Sequence, residues 1–105
     1  MPILKLFLIS ILVLGLLANT SYAKNTDKLY EEALSSFNNK EYGKSIVLLK
    51  EAMFQTPKHL SGRILLGRSL LLTRQFKSAE NQFRQALIDG ADKRNILIPL
   101  GQSLL

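Results

Sequence analysis

The sequence predicts an all-α fold of antiparallel helical hairpins that follows an N-terminal export signal. Three observations lead to this prediction. Residues 1–23 are mostly apolar and end in small side chains. The remaining chain carries apolar residues three and four positions apart, as one face of a helix does. Segments 41–52 and 75–86 also match in side-chain size at four positions that stand 34 residues apart, which indicates a repeated packing unit. The pairs are Tyr42 and Phe76, Ser45 and Ala79, Leu49 and Phe83, and Ala52 and Ala86.

The first 23 residues, "MPILKLFLISILVLGLLANTSYA", have the order of a secretory signal peptide. Lys5 and the terminal amine form a positive start, an apolar run follows, and small residues precede the expected cleavage between Ala23 and Lys24. The alternative is an uncleaved membrane anchor, although the apolar run is somewhat shorter than the ~20 residues that span a bilayer. The chain has no Cys, which excludes lipid attachment at a lipobox cysteine, disulfides and thiolate metal sites.

The mature part, residues 24–105, divides into repeats at about 26–59 and 60–93 and a partial third at 94–105. Each complete repeat has two stretches of helical periodicity separated by a polar break. Pro57 is expected to stop the second helix, and Gly90 the fourth, because glycine readily adopts positive φ. The third repeat is incomplete, so we expect this chain to belong to a longer array or to dock at this end on another protein.

A fifth helix is expected in the partial repeat, with a start shifted by Pro99. Strict register would begin it near Arg94 and place Pro99 in the second turn, where a proline is costly. We therefore expect a late start, near Asn95 or Ile96, with Asp92 or Asn95 as the cap. Three leucines are expected to face the preceding helix around Phe83 and Leu87: Leu97, Leu100 and Leu104.

The second unit resembles a tetratricopeptide repeat (TPR). It has a Leu-Gly pair in its first helix, an aromatic residue at the turn and then small, large and small residues, namely Leu66, Gly67, Phe76, Ala79, Phe83 and Ala86. The first unit follows the pattern except that Glu32 replaces the leucine. The early tryptophan of the family is absent from all units, where Leu29, Arg63 and Leu97 stand. The resemblance implies a TPR-like α-solenoid, a right-handed stack of helical hairpins.

In this family the first helix of each pair lines a concave groove that binds peptides. The resemblance therefore implies a peptide-binding groove in this chain that is formed by Tyr30, Leu34, Phe37, Ser61, Ile64, Arg68, Leu71 and Leu72. Arg68 would be a polar handle among apolar side chains, which suits an extended or acidic peptide. The alternative is that Arg68 is simply exposed and the apolar residues belong to the core. Chaperone-binding members of the family have Lys and Asn where this chain has Tyr30 and Leu34, so a chaperone clamp is not expected.

The order of signal peptide and repeats is also similar to the start of long exported TPR proteins of bacterial PEP-CTERM/exosortase and exopolysaccharide systems. That resemblance rests on the signal peptide, the stretch from "YEEALSSF" to "FRQAL", and the closing "ILIPLGQSLL". It implies a scaffold for protein–protein interaction that is periplasmic or secreted, or membrane-anchored if the signal is retained. A lipobox cysteine, frequent in those proteins, is missing here.

The residue types argue against an enzyme, a cofactor and a metal site. His59 is the one histidine, it stands in "TPKHLS" where an exposed turn residue is expected, and no second His or Cys could join it. Glu31 and Glu32 are adjacent, so on a helix they point in different directions. The net charge of +6 is mixed with acids and lacks interleaved aromatic residues, so no nucleic-acid partner is expected. The expected partner is a protein or peptide, with membrane contact only through an uncleaved N-terminal segment.

Overall fold

A computed structural model describes residues 25–105, and within this range the chain is all-α with no strand. The all-α prediction is therefore confirmed for this part. The signal-peptide prediction for residues 1–23 and the cleavage between Ala23 and Lys24 lie outside the described residues. The described helices are α1 over residues 25–38, then α2 Tyr42–Gln55, α3 Leu60–Leu72, α4 Phe76–Ile88 and α5 Lys93–Leu104.

Neighbouring helices pack against one another in chain order, and short connections make them antiparallel. Thr26 near the start of α1 hydrogen-bonds Gln55 and Thr56 at the end of α2, at 3.3 and 2.9 Å. Helix α3 packs against α2 on one side and α4 on another, and it also touches α5. The ring of Tyr30 in α1 lies against His59 at the start of α3, and Phe37 near the end of α1 lies against Arg68 further along α3. The two helices therefore run side by side in the same direction.

The 34-residue period is visible in the backbone of the turns. Lys40 and Arg74 stand 34 positions apart, and both have left-handed backbones, with φ of 62° and 63°. In each turn the next N–H, of Glu41 or Gln75, bonds back across the helix end at 2.8 or 2.9 Å. This is a Schellman-type ending. Gly90 ends α4 in the same way with φ of 100°, as the sequence predicts.

The matched small and large residues form the core between paired helices. Leu49 of α2 and Phe83 of α4 are fully buried, and each is flanked along its helix by fully buried small residues: Ser45, Ala52, Ala79 and Ala86. Dense packing of this kind leaves no space for extra atoms, so both units depend on side-chain size at these positions. The repeated pattern is therefore a packing pattern.

One buried hydrogen bond joins α2 to α3. Ser45 Oγ lies 3.3 Å from Ser69 Oγ, and both residues are fully buried. Ser69 donates its only hydroxyl proton to the carbonyl of Leu65, at 2.8 Å. Ser45 must therefore be the donor in the bond between the two hydroxyls. Sequence patterning treats Ser45 only as a small residue and does not reveal this bond.

Arg63 stands where the other two units have a leucine, Leu29 or Leu97. Its polar contacts connect α3 to α4. Its guanidinium donates to the Gln82 side chain and to the Pro57 carbonyl, each at 2.7 Å. Its Nε lies 3.8 Å from Asp89 Oδ2, at the end of α4, and has no hydrogen-bond partner among the described residues. The arginine thus fastens the loop before α3 to the end of α4.

The start of α5 differs from the expectation. The helix begins at Lys93, one residue before strict register, so the predicted late start is wrong, although Asp92 is the cap as expected. Its carboxylate accepts the Arg94 N–H at 2.9 Å. Pro99 consequently lies within the helix. Its ring deprives the Asn95 carbonyl of a partner, and this is tolerated because Asn95 lies in an exposed turn.

The buried face of α5 includes Leu100, as expected, but Leu97 and Leu104 do not belong to it. It consists of Ile96, Leu100 and Ser103, whereas Leu97 and Leu104 are more than half exposed. The period explains the difference, because Ser103 stands 34 positions after Ser69, which bonds to α2. Helix α5 therefore faces α4 with the surface that α3 turns toward α2.

Candidate functional site

The first helices of the three units, α1, α3 and α5, enclose an open groove of about 520 Å³. This volume lies within the range of roughly 300–1,000 Å³ that is usual for ligand pockets. The groove is lined by Tyr30, Leu34, Ser61, Ile64, Leu65, Arg68, Arg94, Asn95, Ile98, Pro99 and Gln102. It has an apolar floor and polar groups at its borders.

Five of the eight groove residues named from the sequence line this groove, namely Tyr30, Leu34, Ser61, Ile64 and Arg68. The other three lie beside it. Phe37 contacts the Arg68 guanidinium, Leu71 packs half-buried against the core, and Leu72 is half exposed. Residues near the C-terminal ends of α1 and α3 thus fall outside the groove.

Sequence reasoning missed the contribution of α5 to the groove. Asn95, Ile98 and Gln102 stand 34 positions after Ser61, Ile64 and Arg68. Adding 34 to the groove positions predicted in the second unit gives these three residues. Pro99 likewise stands 34 positions after Leu65, a lining residue that the groove prediction did not include, whereas Arg94 corresponds to Leu60, which does not line the groove.

The charged side chains that line the groove, Arg68 and Arg94, are both positive. Arg68 lies over the ring of Phe37, with its guanidinium carbon 5.2 Å from the ring centre, in a cation–π arrangement. No carboxylate of residues 25–105 pairs with Arg68. Arg94 is highly exposed and binds Asp92 at 3.0 Å. The side chain of Arg94, and then its N–H, lower the pKa of Asp92. No acidic residue is among the described residues that line the groove.

His59 stands at the edge of the groove and has a structural task there. Its Nδ1 accepts the Gly62 N–H at 3.0 Å and so caps α3, while its ring lies 5.2 Å from the ring of Tyr30. The expectation of a simple exposed turn residue was wrong, since about a fifth of the side chain is exposed. Asp27 lies 3.9 Å from the other ring nitrogen. The arrangement fixes Tyr30 at the mouth of the groove.

Two further properties of the described range bear on function. No group of His, Cys, Asp or Glu side chains in residues 25–105 is placed to hold a metal ion. Over the same residues, no helix combines the length and apolar character that crossing a bilayer requires.

Comparison of the chain with protein-family models, with curated proteins and with solved structures finds no match. The groove and the 34-residue period are therefore the observations from which a function can be inferred.

Proposed function

We propose that this chain is a TPR-type scaffold for protein–protein interaction and that its groove binds an extended, acidic segment of a partner protein. The observation that carries the proposal is the groove between α1, α3 and α5, which contains two arginines and, among its described lining residues, no acid. An anionic segment complements such a surface and is steered toward it. The net charge of the whole chain, +6, acts in the same direction.

The TPR assignment is supported by positions that repeat both in sequence and in space. The left-handed turn residues Lys40 and Arg74 coincide under the 34-residue shift. So do the fully buried small residues Ser45 and Ala79. A repeat that matches at turns and at packing positions is the property on which helical solenoids are built.

Each part of the groove has a role in this proposal. Leu34, Ile64 and Ile98 offer apolar surface to alternate side chains of the bound segment. The amide of Gln102 can both donate to and accept from its main chain. The guanidinium of Arg68, held over Phe37, can bind a carboxylate with two parallel hydrogen bonds.

The exported location is supported by the order of charged, apolar and small residues in 1–23. The role in exopolysaccharide or PEP-CTERM protein assembly is proposed from the resemblance alone. A protein isolated from cells with Lys24 as its first residue would support export and cleavage. A retained Met1 would favour the alternative, a membrane-anchored assembly factor.

Binding to a peptide array tests the groove. The array holds extended seven-residue peptides in which acidic residues alternate with aliphatic ones, together with the same peptides with Gln and Asn in place of the acids. We expect the acidic set to bind and its affinity to fall as salt is raised, because the attraction is partly screened. Arg68→Gln should weaken the best binder by about tenfold or more, as expected for the loss of a charge-assisted bond.

Arg84→Gln is the matched control, because Arg84 lies on the outer face of α4 and pairs with Glu80 at 2.9 Å, away from the groove. This variant should bind as the unmodified protein does. Equal losses for the two arginines would indicate a general charge effect and contradict the groove. Equal binding of acidic and neutral peptides would contradict the acidic partner.

A further inference from the structure

His59 caps α3 through a ring nitrogen that can accept a hydrogen bond only while the imidazole is neutral. Its Nδ1 accepts the Gly62 N–H at 3.0 Å, so the ring proton of this form is on Nε2. In a protonated histidine both ring nitrogens are donors. The Nδ1–H would then point at the Gly62 N–H, and the hydrogen bond of the cap would be lost. The cap therefore depends on the charge of the ring.

The imidazole lies close against the backbone of Gly62. A Cβ added at Gly62 would stand 2.8 Å from His59 Nδ1 and 3.3 Å from Met53 Sδ, so the ring fits here because the residue is a glycine. Two N–H groups that face each other at such a distance repel and leave both donors unsatisfied. We therefore expect the protonated ring to move away from Gly62.

The groups around the ring offer the protonated form another position. Asp27 of α1 lies 3.9 Å from Nε2, and its side chain is 83% exposed, so it can turn toward a charged imidazole. Helix α2 contributes the uncharged Met53 beside the cap. Arg63 of α3 directs its guanidinium at the preceding loop and at α4, and Lys58 is exposed. The protonated ring is therefore expected to swing toward Asp27.

The cap is connected to the groove through Tyr30 and through the first turns of α3. The ring of His59 lies 5.2 Å from that of Tyr30, which lines the groove. Ser61 and Ile64, which also line it, stand in the first turns of the helix that His59 caps. A ring that leaves the cap removes a neighbour of Tyr30 and loosens the start of α3. Three lining residues thus depend on the neutral form.

We infer that His59 makes the groove sensitive to pH: the neutral imidazole holds Tyr30 and the start of α3 in place for peptide binding, and protonation releases both. The inference rests on the proposed function, because it concerns the regulation of the same groove. His59 is a positioning residue, since it is not among the described residues that line the groove. The charge of a protonated ring would attract an acidic peptide, but pairing with Asp27 and screening by salt weaken that attraction. Peptide affinity should therefore fall on acidification.

Peptide affinity at pH 7.5 and at pH 5.5 tests this regulation. The probe is a fluorescent seven-residue peptide in which Glu alternates with Leu, titrated with the purified protein at constant salt, and anisotropy is measured. Histidine is the side chain whose charge ordinarily changes in this range, and the chain has one. The glutamates of the peptide stay largely ionised, because ordinary glutamate titrates at about pH 4.3. We expect affinity to be about fivefold weaker at pH 5.5, the factor that a typical helix cap contributes.

His59→Asn is the matched variant, because asparagine is a good N-cap that does not titrate. Its affinity for the peptide should be the same at both pH values. His59→Ala lacks a capping group, so it should bind more weakly than the unmodified protein at pH 7.5 and show no change with pH.

Hydrogen exchange of the Gly62 amide tests the cap without any peptide. The rates are corrected for the intrinsic pH dependence of exchange. Protection of this amide should be lower at pH 5.5 than at pH 7.5 in the unmodified protein, because the N–H loses its acceptor. In His59→Asn the protection should be equal at both pH values.

Three results would overturn the inference and leave the proposed function intact. The first is peptide binding at pH 7.5 that acidification leaves unchanged or strengthens. The second is an equal loss of affinity in His59→Asn, which would assign the pH response to other groups. The third is a Gly62 amide whose protection does not change with pH, since the cap would then survive protonation. Absence of peptide binding at both pH values would instead contradict the proposed function, and the regulation with it.

Discussion

Gly67 of α3 lies directly beneath the ring of Phe83 in α4, so close that a Cβ at Gly67 would stand 2.6 Å from the nearest ring carbon. Phe83 is fully buried, so its ring can move only by displacing neighbouring core atoms. Gly67→Ala should therefore lower the free energy of unfolding by about 1–3 kcal/mol, as overpacked core positions do. The gain of up to about 1 kcal/mol from replacing a helical glycine offsets this loss only in part. Urea unfolding measures the difference.

Gly43 provides the comparison for that prediction. It lies in the first turn of α2, is exposed, and would place a Cβ in open space. Gly43→Ala should raise the free energy of unfolding, by up to about 1 kcal/mol. If the two alanine variants changed stability in the same direction by similar amounts, helix propensity rather than the contact with Phe83 would govern position 67.

Arg63 and Arg84 each pair with an acid in or at the end of α4, and they should differ in their contribution to the free energy of unfolding. Arg63 is largely buried among Gln82, Pro57 and Asp89. Arg63→Ala leaves these partners unpaired, and we expect a loss of about 3 kcal/mol, at the low end for a broken buried pair. Arg84→Ala removes a surface pair and should change stability by less than about 0.5 kcal/mol. Thermal unfolding of both variants, monitored by circular dichroism, gives the comparison. Equal destabilisation would contradict the role of Arg63 as the tie between α3 and α4.

Residue spacing was sufficient to predict the parts of the fold that depend on apolar periodicity. The order of helices and the buried positions Ala79 and Phe83 follow from side chains that recur at helical spacing. The stop at Gly90 follows from the positive φ that glycine readily adopts. The turns at Lys40 and Arg74 could not be predicted from residue type, because neither residue favours positive φ. Tertiary packing of the flanking helices imposes that conformation on them.

Two of the errors concern the start and the buried face of α5. Pro99 was treated as a barrier to an early start, although a proline beside an exposed carbonyl is tolerated within a helix. The repeat, not the helix start, accounts for the buried face, because Ile96 and Ser103 stand 34 positions after Gly62 and Ser69, which are buried in α3. The groove residues on α5, such as Ile98 and Gln102, could have been predicted by following the repeat once more. The bond between Ser45 and Ser69 depends on hydroxyl orientation, which spacing does not encode.

Glu80 should make stability depend on pH in the acid range. The hydrogen bond from the Arg84 side chain, with that from Lys77 in support, lowers the pKa of Glu80 below its ordinary value of 4.5. A carboxyl with a lowered pKa in the folded state stabilises the fold above its unfolded pKa, and this contribution is lost as pH falls through the folded pKa. The melting temperature of the protein should therefore exceed that of Glu80→Gln at pH 7, and the gap should close as pH falls below 4.5. A gap that stays constant down to pH 3 would contradict the ionic character of these contacts.

The cap that Asp92 forms should stabilise the first turn of α5. Two substitutions separate the contribution of this cap from that of the ion pair with Arg94. The Asp92 carboxylate accepts the Arg94 N–H at 2.9 Å and also binds the Arg94 guanidinium at 3.0 Å. Asp92→Ala removes both contacts, whereas Asp92→Asn keeps an acceptor for the N–H and removes only the charge.

We expect amide hydrogen exchange in the first turn of α5 to become several-fold faster in Asp92→Ala and to change little in Asp92→Asn, because local opening of a helix end follows the loss of its cap. Amides in the centre of α3, such as that of Leu66, serve as the internal reference. Similar acceleration in both variants would show that the pairing with the Arg94 side chain, rather than the cap, holds the start of the helix.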